Sequence, residues 1–183
     1  MRPLVDADRL RLFMRAIGAA AAESGRVYLT GGATAVLVGW RSSTIDVDMK
    51  MDPEQDSIFR ALSTLKETLQ INIEMVSPGD FIPELPGWQD RSPFIAKEGR
   101  ISFHNYDFYS QCLSKIERGH ARDAKDVRQM LARGMVEPDR LMGYFETIEP
   151  LLYRYPAIDP PSFRKAVERM KDEARPPEGK DER

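Results

Sequence analysis

The chain has 183 residues and is nearly balanced in charge, with 27 Lys or Arg against 29 Asp or Glu. This balance excludes a general electrostatic attraction to nucleic acid, so any such binding would need a local basic patch. The single cysteine excludes an internal disulfide, and no apolar run is long enough to span a membrane, so we expect a cytoplasmic protein with no membrane partner.

The first fifty residues predict two helices, two strands and a glycine turn. The helices carry apolar residues at helical spacing, and the strands are short runs of β-branched and other apolar residues. In chain order we predict a helix from Asp6 or Asp8 to about Glu23, a strand at Val27–Leu29, a turn at Gly31–Gly32, a helix at Ala33–Val38 and a strand at Ile45–Met49.

The second strand carries two aspartates on one face. Successive side chains of a strand point to opposite sides, so Asp46 and Asp48 project together. The alternating apolar side chains of Ile45, Val47 and Met49 are expected to face a helix layer. Two carboxylates this close repel each other unless a cation lies between them, and Mg²⁺ or Mn²⁺ bridged to phosphate oxygens is the natural candidate.

The glycine pair that precedes the aspartates predicts a phosphate site. Without Cβ atoms, Gly31 and Gly32 let a phosphate approach the backbone closely. The helix that follows offers unpaired N–H groups and a partial positive charge at its first turn. Each feature alone is more often structural, but in this order they indicate metal-dependent phosphoryl or nucleotidyl transfer.

A third strand is predicted at Ile71–Val76, after a helix at Pro53–Leu69. Its Asn72 and Glu74 face one way, and the alternating apolar residues face the other. If this strand lies beside the Asp-x-Asp strand, Glu74 shares the polar face with the two aspartates.

A long loop and a hairpin complete this half of the chain. The loop, Ser77–Ser92, is rich in proline, glycine and aromatic residues, and loops of this length are often functional. Trp88 or Phe81 either stacks on a nucleobase or closes the core under the loop, and we favour the second interpretation. The hairpin pairs residues 94–97 with 101–103.

The second half of the chain is predicted to be helical. Apolar residues recur at helical spacing in four segments, and Cys112 falls at such a position, which favours a buried, inert thiol. The predicted helices run from Asp107 to Gly119, from Ala121 to Arg133, from Glu137 to about Thr147, and from Pro160-Pro161 to about Glu173. The charged segment Arg175–Arg183 is predicted to be disordered.

A basic excess lies in the first two of these helices. The segment Lys115–Arg133 contains six Lys or Arg against three Asp or Glu. Lys115 and Arg118 are one turn apart on a common helix face and are candidates to hold triphosphate oxygens. Asp123 either orients one of these cations or caps the second helix.

The glycine pair and the aspartates together resemble a known signature. Gly31–Gly32, thirteen intervening residues and Asp46-Val47-Asp48 are similar to the nucleotidyltransferase signature of the DNA polymerase beta superfamily. This resemblance implies a third carboxylate on a neighbouring strand, and Glu74 matches that requirement as the base or second metal ligand. The signature often has serine where this chain has Gly32, so the hydroxyl of Thr30 or Thr34 is a candidate substitute.

Two further runs narrow the resemblance to one branch. Arg41-x-x-Thr44-x-Asp46-x-Asp48 resembles the stand-alone bacterial branch that includes abortive-infection and toxin–antitoxin nucleotidyltransferases. Leu113–Asp126 is similar to the Lys-hydrophobic-x-Arg and Arg-Asp-x-x-Asp block of the toxin-like members. The implied nucleotide-binding residues are Gly31, Gly32, Thr34, Arg41, Thr44, Lys115, Arg118 and Asp123, with Asp46, Asp48 and Glu74 as metal ligands. Lys115 is also implied to act on the leaving pyrophosphate.

The expected fold is therefore α/β, with a nucleotidyltransferase-type mixed sheet and flanking helices in residues 1–106. A helical part, residues 107–174, is expected to pack on this core. The implied activity transfers a nucleoside monophosphate from an NTP to an RNA (tRNA-like) or protein hydroxyl, as in the toxin of a toxin–antitoxin pair with a cognate antitoxin protein. The alternative is a non-catalytic relative that binds a nucleotide or protein in a regulatory, antitoxin-like role.

Overall fold

The computed structural model describes residues 3–174, so the tail predicted to be disordered lies outside the described residues. The described chain divides into two compact units. The first contains the chain up to Asp80 together with Pro86–Asp107, and the second contains Phe81–Leu85 and the chain from Phe108 onward. No helix among residues 3–174 has the length and apolar character needed to cross a membrane.

The first unit is built on one mixed sheet of five strands, which confirms the predicted α/β class. The strand order is β3-β2-β1-β5-β4, with β1 antiparallel to β2 and parallel to β5. β2 is parallel to β3, and β4 pairs with β5 as the predicted antiparallel hairpin. The elements are α1 Ala7–Ala20, β1 Gly25–Thr30, α2 Gly31–Val38, β2 Asp46–Asp52, α3 Asp56–Thr68, β3 Asn72–Glu74, β4 Phe94–Glu98 and β5 Ile101–Asn105.

One face of this sheet packs on helices, and the other carries the polar residues of the predicted site. Val47 and Met49 of β2 are fully buried, whereas the alternate residues Asp46, Asp48 and Lys50 are only half-buried. The apolar core contains residues of α1, α2 and α3 together with alternate residues of every strand except β4. The period-two pattern of β2 therefore separates the core from the site, as the sequence predicts.

One glutamine side chain changes the ends of two predicted helices. Gln55 accepts a hydrogen bond from the Glu23 backbone N–H at 3.1 Å and donates to the Glu23 carbonyl oxygen at 3.0 Å. Glu23 is thereby held outside α1, which ends at Ala20. Gln55 is the extended residue before α3, which begins at Asp56, so the predicted start at Pro53 is wrong.

The predicted strands also differ in length from those observed. Ile45 lies before β2, and 56% of its surface is exposed, so the expectation that it faces the helix layer is wrong. The reason is a bridge in which Val5 and Thr44 exchange two backbone hydrogen bonds of 2.8 and 2.9 Å, just before the strand begins. β3 has three residues rather than the predicted six, and Met75 beyond it is exposed.

Trp88 closes a small aromatic core under the long loop, which confirms the favoured interpretation. Its side chain is only 3% exposed and stacks on Tyr106, with ring centroids 4.2 Å apart and planes 4° apart. Tyr28 meets the Trp88 ring edge-on at 4.7 Å. The loop is anchored further by Arg91, which donates two hydrogen bonds to the buried carboxylate of Asp107.

The second unit is helical, as predicted. Its helices present buried apolar side chains at helical spacing, and Cys112 is fully buried among them, as expected. The elements are α4 Phe108–Arg118, α5 Ala121–Ala132, α6 Pro138–Ile148, a 3₁₀ segment Glu149–Arg154 and α7 Pro160–Ala174.

Two helical glycines allow a direct test of packing. A Cβ atom at Gly18 of α1 would lie 2.5 Å from the Glu98 carbonyl oxygen, whereas a Cβ at Gly143 of α6 would meet nothing within 4 Å. We expect Gly18→Ala to destabilise the protein by about 1–3 kcal/mol, because backbone atoms must move to relieve the contact. The matched Gly143→Ala should stabilise it by about 0.5–1 kcal/mol through helix propensity. Urea unfolding measures both changes in the free energy of unfolding. If Gly18→Ala stabilised the protein as Gly143→Ala does, the packing at Gly18 would be contradicted.

Candidate functional site

Strand register brings the three predicted acidic residues onto one face of the sheet. Asp48 of β2 lies opposite Glu74 of β3, which confirms that these strands are neighbours. On its other side, Asp48 lies opposite Thr30 of β1. Asp46 lies two residues along the same face of β2, so the three carboxylates occupy adjacent positions.

Asn72 links two of these carboxylates, a function that the sequence did not reveal. It lies opposite Asp46 in the register, and its Nδ2 donates to Asp46 Oδ1 at 2.7 Å and to Glu74 Oε1 at 3.1 Å. One neutral amide therefore orients carboxylates from two strands. The sequence places Asn72 on the same strand face as Glu74, but it does not indicate the bond to Asp46.

The glycine pair contacts the site through its backbone. Gly31 has φ +62°, and a Cβ atom there would lie 2.7 Å from Asp48 Oδ2. A Cβ atom at Gly32 would lie 2.0 Å from Thr44 Oγ1. The Asp48 and Thr44 side chains therefore lie where a Cβ atom of these residues would be, and the predicted approach of a phosphate to the glycine backbone stays a prediction.

The two predicted threonines support the turn and the aspartate strand. Thr44 is buried, and its hydroxyl donates to the Asp46 carbonyl oxygen at 3.1 Å. Thr34 is fully buried, and its hydroxyl donates to the Leu29 carbonyl oxygen at 3.2 Å, which joins α2 to the end of β1. Arg41 is half-buried just after α2, with its backbone N–H bonded to the Ala35 carbonyl oxygen at 3.2 Å.

The start of α2 is adjacent to the carboxylates. α2 begins at Gly31, directly after Thr30, and the Thr30 side chain makes no capping hydrogen bond to it. The first N–H groups of a helix have no partner inside the helix and carry a partial positive charge. An anion such as a phosphate is therefore favoured at this end of β1.

The oxygen donors of the sheet face are suited to a divalent ion completed by substrate. Within residues 3–174, no group of three or more His, Cys, Asp or Glu side chains is arranged to hold a metal ion by itself. Mg²⁺ commonly binds one or two carboxylates and takes its other ligands from water and substrate phosphates. Asp46 and Asp48, half-buried on one face, provide such a pair.

The remaining predicted residues form a separate ion-pair cluster in the second unit. Lys115 of α4 is only 4% exposed, and its Nζ lies 3.0 Å from Asp123 Oδ1 and 2.7 Å from Asp126 Oδ2 of α5. Arg118 also donates to Asp123 Oδ1, at 2.8 Å. Two positive and two negative charges balance within this cluster. Asp126 was not among the residues predicted from the sequence, although it ends the Asp-x-x-Asp block.

The charge state of Asp123 follows from these partners. Burial alone raises the pKa of this carboxyl, but the charges and hydrogen bonds of Lys115 and Arg118 outweigh it and hold the pKa below its usual range. Asp123 therefore orients both cations, and it also lies in the first turn of α5. The Arg118 guanidinium, in addition, lies 5.1 Å from the ring centroid of Phe81.

Comparison with known proteins identifies a family. Residues 10–165 match the family described as "Nucleotidyltransferase of unknown function (DUF6036)". The matched range includes every predicted site residue, in both units. Neither the curated proteins nor the solved structures contain a significant match to the chain. The match supports nucleotidyl transfer in general, and the superfamily and toxin–antitoxin resemblances stay predictions.

The Lys115 cluster predicts a large stability effect. Replacing Lys115 with Met removes the buried cation that Asp123 and Asp126 share, although Arg118 stays beside Asp123, and breaking a buried ion pair in this way costs about 3–5 kcal/mol. We expect a loss of this size in urea unfolding of Lys115→Met. The control is Lys125→Met, an exposed lysine of the same helix pair, which should change stability by less than about 0.5 kcal/mol. A loss of less than about 1 kcal/mol in the free energy of unfolding of Lys115→Met would contradict a stabilising role for these buried ion pairs.

Proposed function

The chain belongs to a nucleotidyltransferase family, and from this premise we propose that it transfers a nucleoside monophosphate from an NTP to an acceptor hydroxyl at the β2–β3 face. The observation that carries the proposal is the strand register, which places Asp48 opposite Glu74 and beside Gly31 at the start of α2. Carboxylates and a helix N-terminus are thus adjacent, which is the pairing that a metal-bound triphosphate needs.

In this proposal each element of the face has one task. Asp46 and Asp48 would hold Mg²⁺ or Mn²⁺, which when bound offsets negative charge on the phosphates and the leaving pyrophosphate. The backbone at Gly31 and the first turn of α2 would bind the triphosphate. Glu74, the exposed member of the three, would accept the proton of the acceptor hydroxyl.

The transfer itself is a displacement at the α-phosphorus. The acceptor oxygen forms a bond to that phosphorus, and the bond to the β-phosphate oxygen breaks, so pyrophosphate leaves with the electron pair. The proton passes from the acceptor hydroxyl to Glu74. The protein contributes position and electrostatic stabilisation rather than covalent chemistry.

The cations of the second unit already have partners. Lys115 is buried between Asp123 and Asp126, so we propose that it mainly joins α4 to α5. The Arg118 side chain is 33% exposed, so it is more accessible to an anion than Lys115 is. The role of Lys115 on pyrophosphate, implied by the resemblance, stays a prediction.

The acceptor and biological role rest on the resemblance alone. It supports membership in the DNA polymerase beta superfamily, an RNA end or a protein hydroxyl as acceptor, and a toxin whose partner is an antitoxin. The alternative, a non-catalytic nucleotide- or protein-binding module, is favoured by one observation. Asn72 donates one hydrogen bond to Asp46 and one to Glu74, so the arrangement of these carboxylates has support that does not depend on a metal ion.

Magnesium-dependent thermal shift distinguishes the two functions. With Mg²⁺ and each of the four NTPs in turn, we expect one triphosphate to raise the Tm of the wild type by about 5–10 °C at a concentration about 100 times its Kd. The shift should need Mg²⁺ and should disappear in Asp46→Asn/Asp48→Asn. The selected NTP, radiolabelled at the α-phosphate, is then offered to total RNA and to cellular protein.

The matched control is Asp52→Asn, which removes an exposed carboxylate at the end of the same strand. It should leave the nucleotide-induced shift unchanged. A wild type that responds to no triphosphate would overturn the proposed transfer. A response that persists without Mg²⁺ and without the two aspartates would support the binding module instead.

Asn72 should act on the site with little effect on the fold, because its side chain is half-exposed. We expect Asn72→Ala to weaken Mg²⁺-dependent NTP binding or transfer by about 10–100-fold, the usual effect of removing a group that orients metal ligands. The Tm without ligand should stay close to the wild type. Titration of the NTP-induced shift checks this, and an unchanged affinity would show that the amide does not orient the carboxylates.

A further inference from the structure

Lys50 shares the sheet face with the carboxylates, but neither the signature nor the ion-pair block includes it. It follows Asp48 by two residues on β2, so its side chain leaves the same face about 6.8 Å further along the strand. In the register, Lys50 lies opposite Tyr28 of β1, and Tyr28 lies opposite His104 of β5. This row of residues is next to the row that contains Glu74, Asp48 and Thr30.

The aromatic core under the loop restricts the position of the Lys50 ammonium. Its Nζ lies 5.3 Å from the ring centroid of Trp88, within the range of a cation–π interaction. Trp88 is itself fixed by its stacking on Tyr106 and its edge contact with Tyr28. Lys50 therefore holds a positive charge at a defined place beside the carboxylates, unlike an exposed lysine whose side chain moves freely in water.

Lys50 and the glycine turn lie on opposite sides of Asp48 along the strands. Gly31 follows Thr30, at the end of β1 where the first turn of α2 favours phosphates. Lys50 lies the other way, opposite Tyr28. In phosphoryl transfer, the attacking and leaving oxygens lie roughly in line on opposite sides of the phosphorus. With the leaving pyrophosphate at the glycine turn, the acceptor approaches from the side of Lys50.

We propose that Lys50 is a substrate-binding residue on the acceptor side, where it contacts an anionic group of the acceptor rather than the triphosphate. A polynucleotide end has this chemistry, because a phosphodiester lies one sugar away from its terminal hydroxyl. Glu74, the proposed base, lies in the neighbouring row on the same face, so the hydroxyl and its phosphodiester would meet Glu74 and Lys50 respectively. This inference rests on the proposed function of the same site.

The test separates acceptor binding from triphosphate binding. The probe for the acceptor is a 5′-fluorescein-labelled, single-stranded 16-nucleotide RNA, followed by anisotropy with Mg²⁺ present. Relative to the wild type, Lys50→Met should weaken RNA binding about tenfold. It should also reduce the slope of log affinity against log salt by about one, which a purely structural role would not do. Lys50→Arg should restore both quantities, and the Mg²⁺·NTP thermal shift of Lys50→Met should equal that of the wild type.

The control is Lys66→Met, a half-buried lysine of α3 in the helix layer. It should leave RNA binding and the salt slope unchanged. Loss of the Mg²⁺·NTP shift in Lys50→Met would overturn the proposal by placing Lys50 on the triphosphate side. A wild type that binds Mg²⁺·NTP but shows no Lys50-dependent RNA binding would overturn it in favour of an uncharged acceptor such as a protein hydroxyl, and the proposed function would stand. No triphosphate binding by the wild type would overturn the proposed function itself.

Discussion

The register of β2 between β1 and β3 is the constraint on which the candidate site depends. Val47 and Met49 are fully buried on one face of β2, and Asp46 and Asp48 alternate with them. A slip of one residue would move both aspartates into the apolar core and both apolar side chains into water. Burial of an apolar side chain is worth about 1.5–3 kcal/mol, and burial of an unpaired charge costs more. The hydrophobic core therefore enforces the position of the carboxylates, including the placement of Asp48 opposite Glu74.

The two glycines of the signature differ in what they accommodate. Gly31 leaves room for the Asp48 carboxylate against the turn, and Gly32 leaves room for the Thr44 side chain. Thr44 in turn bonds the carbonyl oxygen of Asp46, so the glycine turn and the aspartate strand are in direct contact. Packing between the two halves of the signature thus constrains the spacing between them. A side chain at Gly31 would first meet the Asp48 carboxylate, and one at Gly32 would first meet the Thr44 side chain.

Local sequence patterns predicted the element types and the polar face well, because strand alternation depends only on backbone geometry. The errors arise where a side chain or a backbone group bonds a partner distant in the chain. Gln55 holds Glu23 from 32 positions away and so changes the ends of two helices. Asn72 reaches Asp46 from 26 positions away, and no local pattern indicates that bond. Alternation predicted Ile45 to be a strand residue, but Ile45 lies between the Val5–Thr44 bridge and the start of β2 at Asp46.

The Lys115 cluster and the carboxylates of the sheet face differ in charge balance, and this difference supports the sheet face as the site of the proposed reaction. Lys115, Asp123 and Asp126 are buried, and together with the partly exposed Arg118 they form a neutral group, so an added ion would gain little there. On the sheet, Asn72 gives Asp46 and Glu74 hydrogen bonds but no charge. A cationic ligand would lower the energy of that face directly. The buried ion pairs of the helical unit therefore stabilise the fold, and the carboxylates of the sheet face are the better place for the proposed chemistry.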